Sequence, residues 1–356
     1  DLLRAAKSRP KKYPLEITAH DITQTVVRVT GIPQSDLLTA ESKNLISLEK
    51  NLKKLLVGQD QALKLIASSI RRSRAGISNA GRPIGSFMIL GPSGVGKTLL
   101  AKLLARELFQ TESALIRIDM SELMERHNVA RLIGAPAGYV GYGEGGRLTE
   151  AIRRRPYAVL LLDEIEKAHA DVFNLLLQIL EEGELTDAAG KKANFRNTLI
   201  LMTSNLGLST LNKWAQGFGF ADSGKRGPDE AEIKAHVEKM VRNHFKPEFL
   251  NRLDKIIVMN PLTSRDIKKI VKIEFQKLQE RISERKIALK LDTSALNHLT
   301  KISFDPEAGA RLVQKNLQNL VEDQIADKLL KGALKEKDRA IVTFTAKTNS
   351  LEIKKQ

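Results

Sequence analysis

One glycine-rich segment of the sequence has residue types and spacing that suit phosphate binding. It reads GPSGVGKT and satisfies the pattern G-x-x-x-x-G-K-[ST]. In such a loop the glycines let backbone N–H groups face phosphate oxygens, the lysine adds charge, and the final hydroxyl ligates Mg²⁺. An apolar run precedes the loop and a helical pattern follows it, so the positive end of a helix would also face the phosphates. The residues predicted to bind a nucleotide are Gly91, Pro92, Ser93, Gly94, Val95, Gly96, Lys97 and Thr98.

Two adjacent acidic residues follow another apolar run, AVLLLDE. Because side chains alternate along a strand, the two acids are expected to point differently and to serve two roles. Asp163 would join Thr98 in holding Mg²⁺, and Glu164 would polarise an attacking water. The alternative is an acidic helix N-terminus, since IEKAH follows. The phosphate loop upstream favours the catalytic interpretation.

A third apolar run, TLILMTSN, ends at a polar residue, Asn205. Ligands of doubly wound sheets lie at the carboxyl ends of the strands. An amide at this position could orient water against the terminal phosphate, whereas taken alone it would more often be a turn residue.

The elements that must position these residues alternate between aliphatic strands and amphipathic helices up to about residue 260. This alternation predicts an α/β fold with a parallel sheet covered on both faces. After Pro261 long charged helices dominate, with two short strand candidates, IALKL and AIVTF. We therefore predict a connecting segment over 1–40, a large ATPase subdomain over 41–260 and a smaller helical α+β subdomain over 261–356.

Composition excludes several classes of protein. The 356 residues include no cysteine, which excludes disulfides and thiolate metal sites and fits a reducing, cytoplasmic location. The sequence lacks an apolar run of the ~20 residues that cross a bilayer, so no membrane partner is expected. Lys and Arg number 58 against 42 Asp and Glu, a net charge of +16. Acidic residues are interleaved with the basic ones, which favours a solvated surface over a nucleic-acid groove.

The order of the motifs resembles that of the Clp ATPases, ring-forming AAA+ protein unfoldases, and in particular their second ATPase module. The shared stretches include TGIP, VGQD, GPSGVGKT, RIDMSE, GYVGYGEGG, LLLDEIEKAH, MTSNLG, PEFLNRLD and GAR. The resemblance covers nearly everything from about Thr30 to the C-terminus. It implies ATP and Mg²⁺ as cofactors, a homo-hexamer, and unfolded or tagged polypeptide as substrate.

The resemblance also implies roles for residues around the nucleotide. Arg252, in FLNRLD, matches the arginine finger that reaches the neighbouring subunit's site. Arg311, in GAR, matches the second sensor arginine of the small subdomain. Val57 and Gly58 match the loop that lines the adenine pocket.

Two further segments are expected to meet other polypeptides. Tyr139 and Val140 match the pore loop that grips substrate, although a tyrosine folded into a local cluster is the alternative. The tripeptide Phe218-Gly219-Phe220 has the form of the loop by which some Clp proteins dock on the ClpP peptidase, or it is a local hydrophobic anchor. This tripeptide favours a ClpC-like partner of ClpP over a ClpB-type disaggregase, and a motor acting on nucleic acid is the remote alternative.

Overall fold

The computed structural model describes residues 18, 21–22, 25, 40–77, 79, 81–134, 145–206, 230–305, 308–345 and 348–355. The predicted connector over 1–40 therefore lies almost entirely outside the described residues. Two helices come first, α1 (Ala40–Leu55) and α2 (Asp60–Arg74). The helical periodicity from Leu45 to Arg74 predicts this pair, and the break at VGQD is confirmed.

A parallel sheet forms the centre of the larger part of the chain. The strands of this part are β1 (Gly85–Leu90), β2 (Leu115–Asp119), β3 (Ala158–Asp163), β4 (Glu184–Thr186), β5 (Lys192–Asn194), β6 (Thr198–Ser204) and β7 (Lys255–Val258). The order of the parallel sheet is β2-β3-β6-β1-β7, and each neighbouring pair is parallel. A two-stranded hairpin, β4 with β5, lies outside it.

Apolar cores cover both faces of this sheet. Along β1, Phe87 and Ile89 enter one core, while Met88 and Leu90 enter the other. This is the period of two expected for a strand, and burial on both faces explains why the strands read as continuous aliphatic runs. The helices of this part are α3 (Lys97–Phe109), α4 (Arg126–Ile133), α5 (Arg147–Arg154), α6 (Ala170–Glu182), α7 (Glu230–His244) and α8 (Pro247–Leu250).

The C-terminal part combines four helices with a three-stranded sheet. Its first helix begins with a capping box, in which the Thr263 hydroxyl and the Asp266 carboxylate satisfy each other's backbone N–H groups. The elements are α9 (Ser264–Ser283), β8 (Ala288–Leu291), α10 (Thr293–Ser303), α11 (Arg311–Leu317), α12 (Asp323–Leu330), β9 (Arg339–Thr345) and β10 (Ser350–Lys355). In the sheet β8 is parallel to β9, and β9 is antiparallel to β10. A π-helical turn, Gln318–Glu322, separates α11 from α12.

The fold class predicted from the sequence is confirmed, and the strands IALKL and AIVTF correspond to β8 and β9. The sequence did not predict α10, β10 or the β4–β5 hairpin. The division at about residue 260 stays a prediction. Within the described ranges, no helix combines the length and the apolar character needed to cross a membrane.

Candidate nucleotide-binding site

The phosphate loop connects the end of β1 to the start of α3, as its sequence requires. Gly94 and Gly96 have φ angles of 73° and 106°, in the left-handed region that favours glycine. A Cβ on Gly96 would lie 2.5 Å from Cδ1 of Leu56. The Leu56 side chain, just after the end of α1, therefore packs against the loop at Gly96, where the positive φ angle favours glycine.

Lys97 is held inside this loop by three acceptors. Its Nζ lies 2.5 Å from the Gly91 carbonyl oxygen, 3.1 Å from that of Pro92 and 2.8 Å from Oδ1 of Asn205. Burial lowers the pKa of Lys97 to about 8, although the carboxylates of Asp163 and Glu166 oppose this shift. The structure thus brings Asn205, predicted from the end of an apolar run, into contact with the phosphate-loop lysine.

Asp163 lies at the end of β3 and is 8% exposed. The Thr203 hydroxyl donates a hydrogen bond to its Oδ1, and Nη2 of Arg117 lies 2.7 Å from its Oδ2. Sequence reasoning missed both partners. Thr203 has a detectable signal, because it is the first polar residue after the apolar run LILM of β6. Arg117 becomes relevant only once β2 is known to pair with β3.

Strand β3 ends at Asp163, and the backbone turns at Glu164. The two acids are therefore not successive residues of one strand, which corrects the expectation from sequence. The φ angle of Glu164 is 56°, and its N–H donates to the Thr203 hydroxyl at 3.2 Å. Its carboxylate pairs with Nζ of Lys167 at 2.5 Å. The segment that follows is only a three-residue 3₁₀ turn, Ile165–Lys167, so the acids do not begin an α-helix.

These groups line one cleft of about 440 Å³, in the size range of small-molecule sites. Apolar side chains line one end of it, and the phosphate loop and carboxylates line the other. The residues around it include Leu55, Leu56, Val57, Ser93, Gly94, Val95, Gly96, Lys97, Thr98, Arg117, Asp163, Glu164, Asn205, Leu262, Ile270, Ile273 and Arg311. A glycine cradle with a half-buried lysine suits phosphate, and the Thr98 hydroxyl with the Asp163 carboxylate supplies the oxygen ligands that suit Mg²⁺.

The apolar end of the cleft is fixed by a reciprocal amide pair. Nε2 of Gln59 donates to the Asn260 carbonyl, the Asn260 N–H donates to Oε1 of Gln59, and both distances are 2.9 Å. Gln59 is 2% exposed. Gly58, with a φ angle of 79°, turns the chain immediately before it. The pair holds the Val57–Gly58 loop against the start of the C-terminal part.

The C-terminal part also touches the phosphate loop directly. The Ala310 N–H donates to the Gly94 carbonyl at 3.0 Å. Gly309 has a φ angle of 57°, and a Cβ there would lie 2.7 Å from the Ser93 carbonyl oxygen. Arg311 follows at the start of α11, lines the cleft, and contributes to the lowered pKa of Lys97 through charge repulsion.

Arg252 is not one of the described residues that line this cleft. Its guanidinium pairs with Oε2 of Glu181 at 2.8 Å, and its carbonyl accepts hydrogen bonds from Arg82 and Ser86. Ser86 lies at the start of β1, whereas the phosphate loop begins at the end of that strand, roughly 16 Å further along. Arg252 therefore lies at the opposite end of the sheet from the nucleotide cleft of its own chain.

Two predicted segments, five residues in all, cannot be placed. Tyr139 and Val140, predicted to grip polypeptide, lie outside the described residues, as does the Phe218-Gly219-Phe220 tripeptide.

The fold and site together define a P-loop ATPase of the AAA class, and comparison with known proteins agrees. The AAA domain (Cdc48 subfamily) model matches residues 82–256, and the model of the C-terminal, D2-small domain of ClpB protein matches residues 262–342. The chain belongs to the Clp family of AAA ATPases and corresponds to their second ATPase module.

Its relatives in that family are chaperones. The chain is 47% identical over 339 residues to the chaperone protein ClpB of Propionibacterium freudenreichii, covering 95% of this chain and 38% of the relative. It is 49% identical over 327 residues to the chloroplastic ClpB2 of Oryza sativa, covering 92% of this chain and 33% of that relative. A solved structure of Hsp104 with ATPγS and FITC casein matches with a TM-score of 0.79 and 38% identity, covering 95% of this chain and 56% of that one.

These relatives correct one preference drawn from the sequence. They are named ClpB chaperones, so the ClpC-like interpretation with a ClpP partner is not supported and the ClpB-type alternative fits better. The tripeptide that favoured ClpP is too common a pattern to outweigh similarity over nine-tenths of the chain. The chain spans roughly a third of the length of these curated relatives.

Proposed function

We propose that this chain is the second ATP-hydrolysing module of a ClpB-type disaggregase, which assembles as a hexamer and moves unfolded polypeptide through its centre. The observation that carries the proposal is the convergence of the phosphate loop, Asp163, Glu164 and Asn205 on one cleft. Relatives at 47–49% identity are named as ClpB chaperones, which supports the choice of substrate class.

Within the cleft each side chain has a role that follows from its chemistry. When bound, Mg²⁺ would neutralise phosphate charge, with Thr98 and Asp163 as its protein ligands. Lys97 supplies a fixed positive charge at the phosphate end. The Glu164 carboxylate accepts a proton from the attacking water. The Asn205 amide orients that water against the terminal phosphate.

Arg252 acts on the site of a neighbouring subunit in this proposal. It lies at the far end of the sheet from its own cleft, so it cannot serve the phosphates bound there. A guanidinium placed at a transferring phosphoryl group stabilises the charge that develops in the transition state. Arg311, which lines the cleft from the C-terminal part, supplies a second guanidinium within the same chain.

Tyr139 and Val140 complete the proposal by analogy with the family's pore loop. An aromatic ring flanked by glycines offers a large apolar surface that holds many side chains without reading their sequence. No peptidase partner is included, because the relatives favour a chaperone.

The proposal is tested by two substitutions in assembled protein. Glu164→Gln should retain ATP binding and lose phosphate release, because the amide cannot accept the proton. Tyr139→Ala should retain ATP hydrolysis and lose unfolding of a polypeptide substrate. Glu336→Gln, which changes an exposed ion pair with Lys286 far from the cleft, is the control and should behave as the parent protein does. Normal phosphate release by Glu164→Gln would refute the catalytic assignment, and normal unfolding by Tyr139→Ala would refute the pore-loop assignment.

A further inference from the structure

Glu166 contains the one buried polar side-chain atom without a hydrogen-bond partner among the described residues. Its Oε1 accepts the backbone N–H of Asn205 at 3.0 Å, while its Oε2 is buried and unpaired. Leaving a buried carboxylate oxygen unpaired costs free energy, so such an atom in a folded protein calls for an explanation. The residue was not singled out by its sequence, and the proposed function assigns it no role.

Its position links Glu166 to the site across three neighbouring strands. Glu166 follows β3, Asn205 follows β6 and Lys97 follows β1, and the sheet order places these strands side by side. Hydrogen bonds join the three residues in the same order. Glu166 accepts from the Asn205 N–H, and the Asn205 side chain accepts from Lys97 Nζ at 2.8 Å. Lys97 in turn contacts the Gly91 carbonyl.

We propose that Glu166 is a positioning residue for ATP hydrolysis, which acts by holding Asn205 so that its amide oxygen faces Lys97 and the cleft. This inference rests on the proposed function. Glu166 does not line the cleft among the described residues, so its effect passes through Asn205 rather than through contact with the nucleotide. Removal of the Glu166 side chain frees the Asn205 backbone and lowers the turnover rate more than it weakens ATP binding.

The test compares Glu166→Ala with Glu166→Gln in assembled protein supplied with ATP and Mg²⁺. Glu166→Ala should lower kcat about tenfold, the effect of losing one positioning hydrogen bond, with KM changed less than about threefold. Glu166→Gln should recover kcat to within about threefold, because its carbonyl oxygen still accepts the Asn205 N–H. A kcat for Glu166→Ala within twofold of the parent would overturn the proposal. So would a Glu166→Gln variant as slow as Glu166→Ala, since the hydrogen bond would then not be the cause.

A double substitution separates positioning from general support of the fold. If Glu166 acts through the Asn205 amide, Glu166→Ala should lower kcat less than about twofold further in a chain that already carries Asn205→Ala. A second tenfold loss in that background would show that Glu166 acts by another route and would overturn the proposal. The parent and Glu164→Gln are measured in parallel. If the parent releases no phosphate the proposed function fails, whereas normal activity of Glu166→Ala beside an inactive Glu164→Gln refutes only the role of Glu166.

Discussion

At the scale of single residues, individual polar side chains of the site hydrogen-bond to more than one of its other groups. The Thr203 hydroxyl donates to Asp163 and accepts from the Glu164 N–H, so one side chain fixes both acidic residues. Lys97 is similarly shared between the phosphate loop and Asn205. A change at Thr203 is therefore expected to disturb Asp163, the proposed metal ligand, and Glu164, the proposed catalytic base, together.

His298 gives a prediction for the pH dependence of stability. Its ring stacks on Phe344, with centroids 4.0 Å apart and planes 15° apart. Burial, with a smaller effect from Lys301, lowers its pKa below the usual 6.5. The unfolded chain therefore takes up the proton first as pH falls. The contribution to the free energy of unfolding is complete above pH 6.5 and is lost as pH falls through the lowered pKa.

Replacing His298 with Phe removes this titration while keeping an aromatic ring on Phe344. Thermal unfolding between pH 8 and 5 should therefore show a smaller fall in Tm for His298→Phe than for the parent chain. Identical slopes below pH 6.5 would mean that the pKa of His298 is not depressed in the folded state.

The sequence located the phosphate loop, Asp163, Glu164 and Asn205 because each is defined by neighbours along the chain. Arg117 and Glu166 could not be found in this way. Arg117 reaches Asp163 only through the pairing of β2 with β3, and Glu166 reaches Asn205 only because β3 and β6 are adjacent. Spacing in sequence does not encode such contacts, which depend on strand order.

At the scale of elements, the turn before α11 brings the backbone of the C-terminal part into contact with the phosphate loop. The Ala310 N–H bonds to the Gly94 carbonyl, and a Cβ on Gly94 would overlap the carbonyl oxygen of Ala308. Movement of α11 should therefore change the shape of the phosphate loop.

Two glycines allow this contact to be tested with a matched control. Gly309 and Gly332 have φ angles of 57° and 67°, so an alanine at either position costs about 1–2 kcal/mol in backbone strain. An alanine Cβ at position 309 would meet the Ser93 carbonyl, whereas at 332 nothing lies within 4 Å. Gly309→Ala should weaken ATP binding at least several-fold, whereas Gly332→Ala should leave it unchanged. Tm should fall for both variants, and further for Gly309→Ala because of the added backbone clash. Equal ATP affinities, measured by titration with a fluorescent ATP analogue, would show that the contact does not shape the loop.

Sequence patterns predict the central strands but not the edge strand β10. The central strands were predicted because burial on both faces makes them aliphatic throughout. β10 buries only Leu351 and Ile353, with charged residues between and after them, and it forms by pairing with β9. Because only two of its side chains are buried, the alternation of apolar and polar residues in this edge strand is too short to distinguish it from a charged tail.

At the scale of the whole molecule, the two parts of the chain share one core. A single cluster of buried residues runs from Leu48 and Leu52 through the central sheet to Val313 and Val342. The cleft lies along this junction, with Val57 on one side and Ile270 on the other. Rotation of the C-terminal part would therefore open or close the nucleotide site.

We propose that cleavage of ATP in one subunit is completed by Arg252 of the next. The most direct measurement mixes subunits carrying Glu164→Gln with subunits carrying Arg252→Ala, each inactive alone, and follows phosphate release across mixing ratios. We predict that activity returns in the mixture, because an Arg252→Ala subunit retains Glu164 and can receive an intact Arg252 from its Glu164→Gln neighbour. An assembled mixture that stays inactive at every ratio, or an Arg252→Ala protein that is fully active alone, would contradict the account.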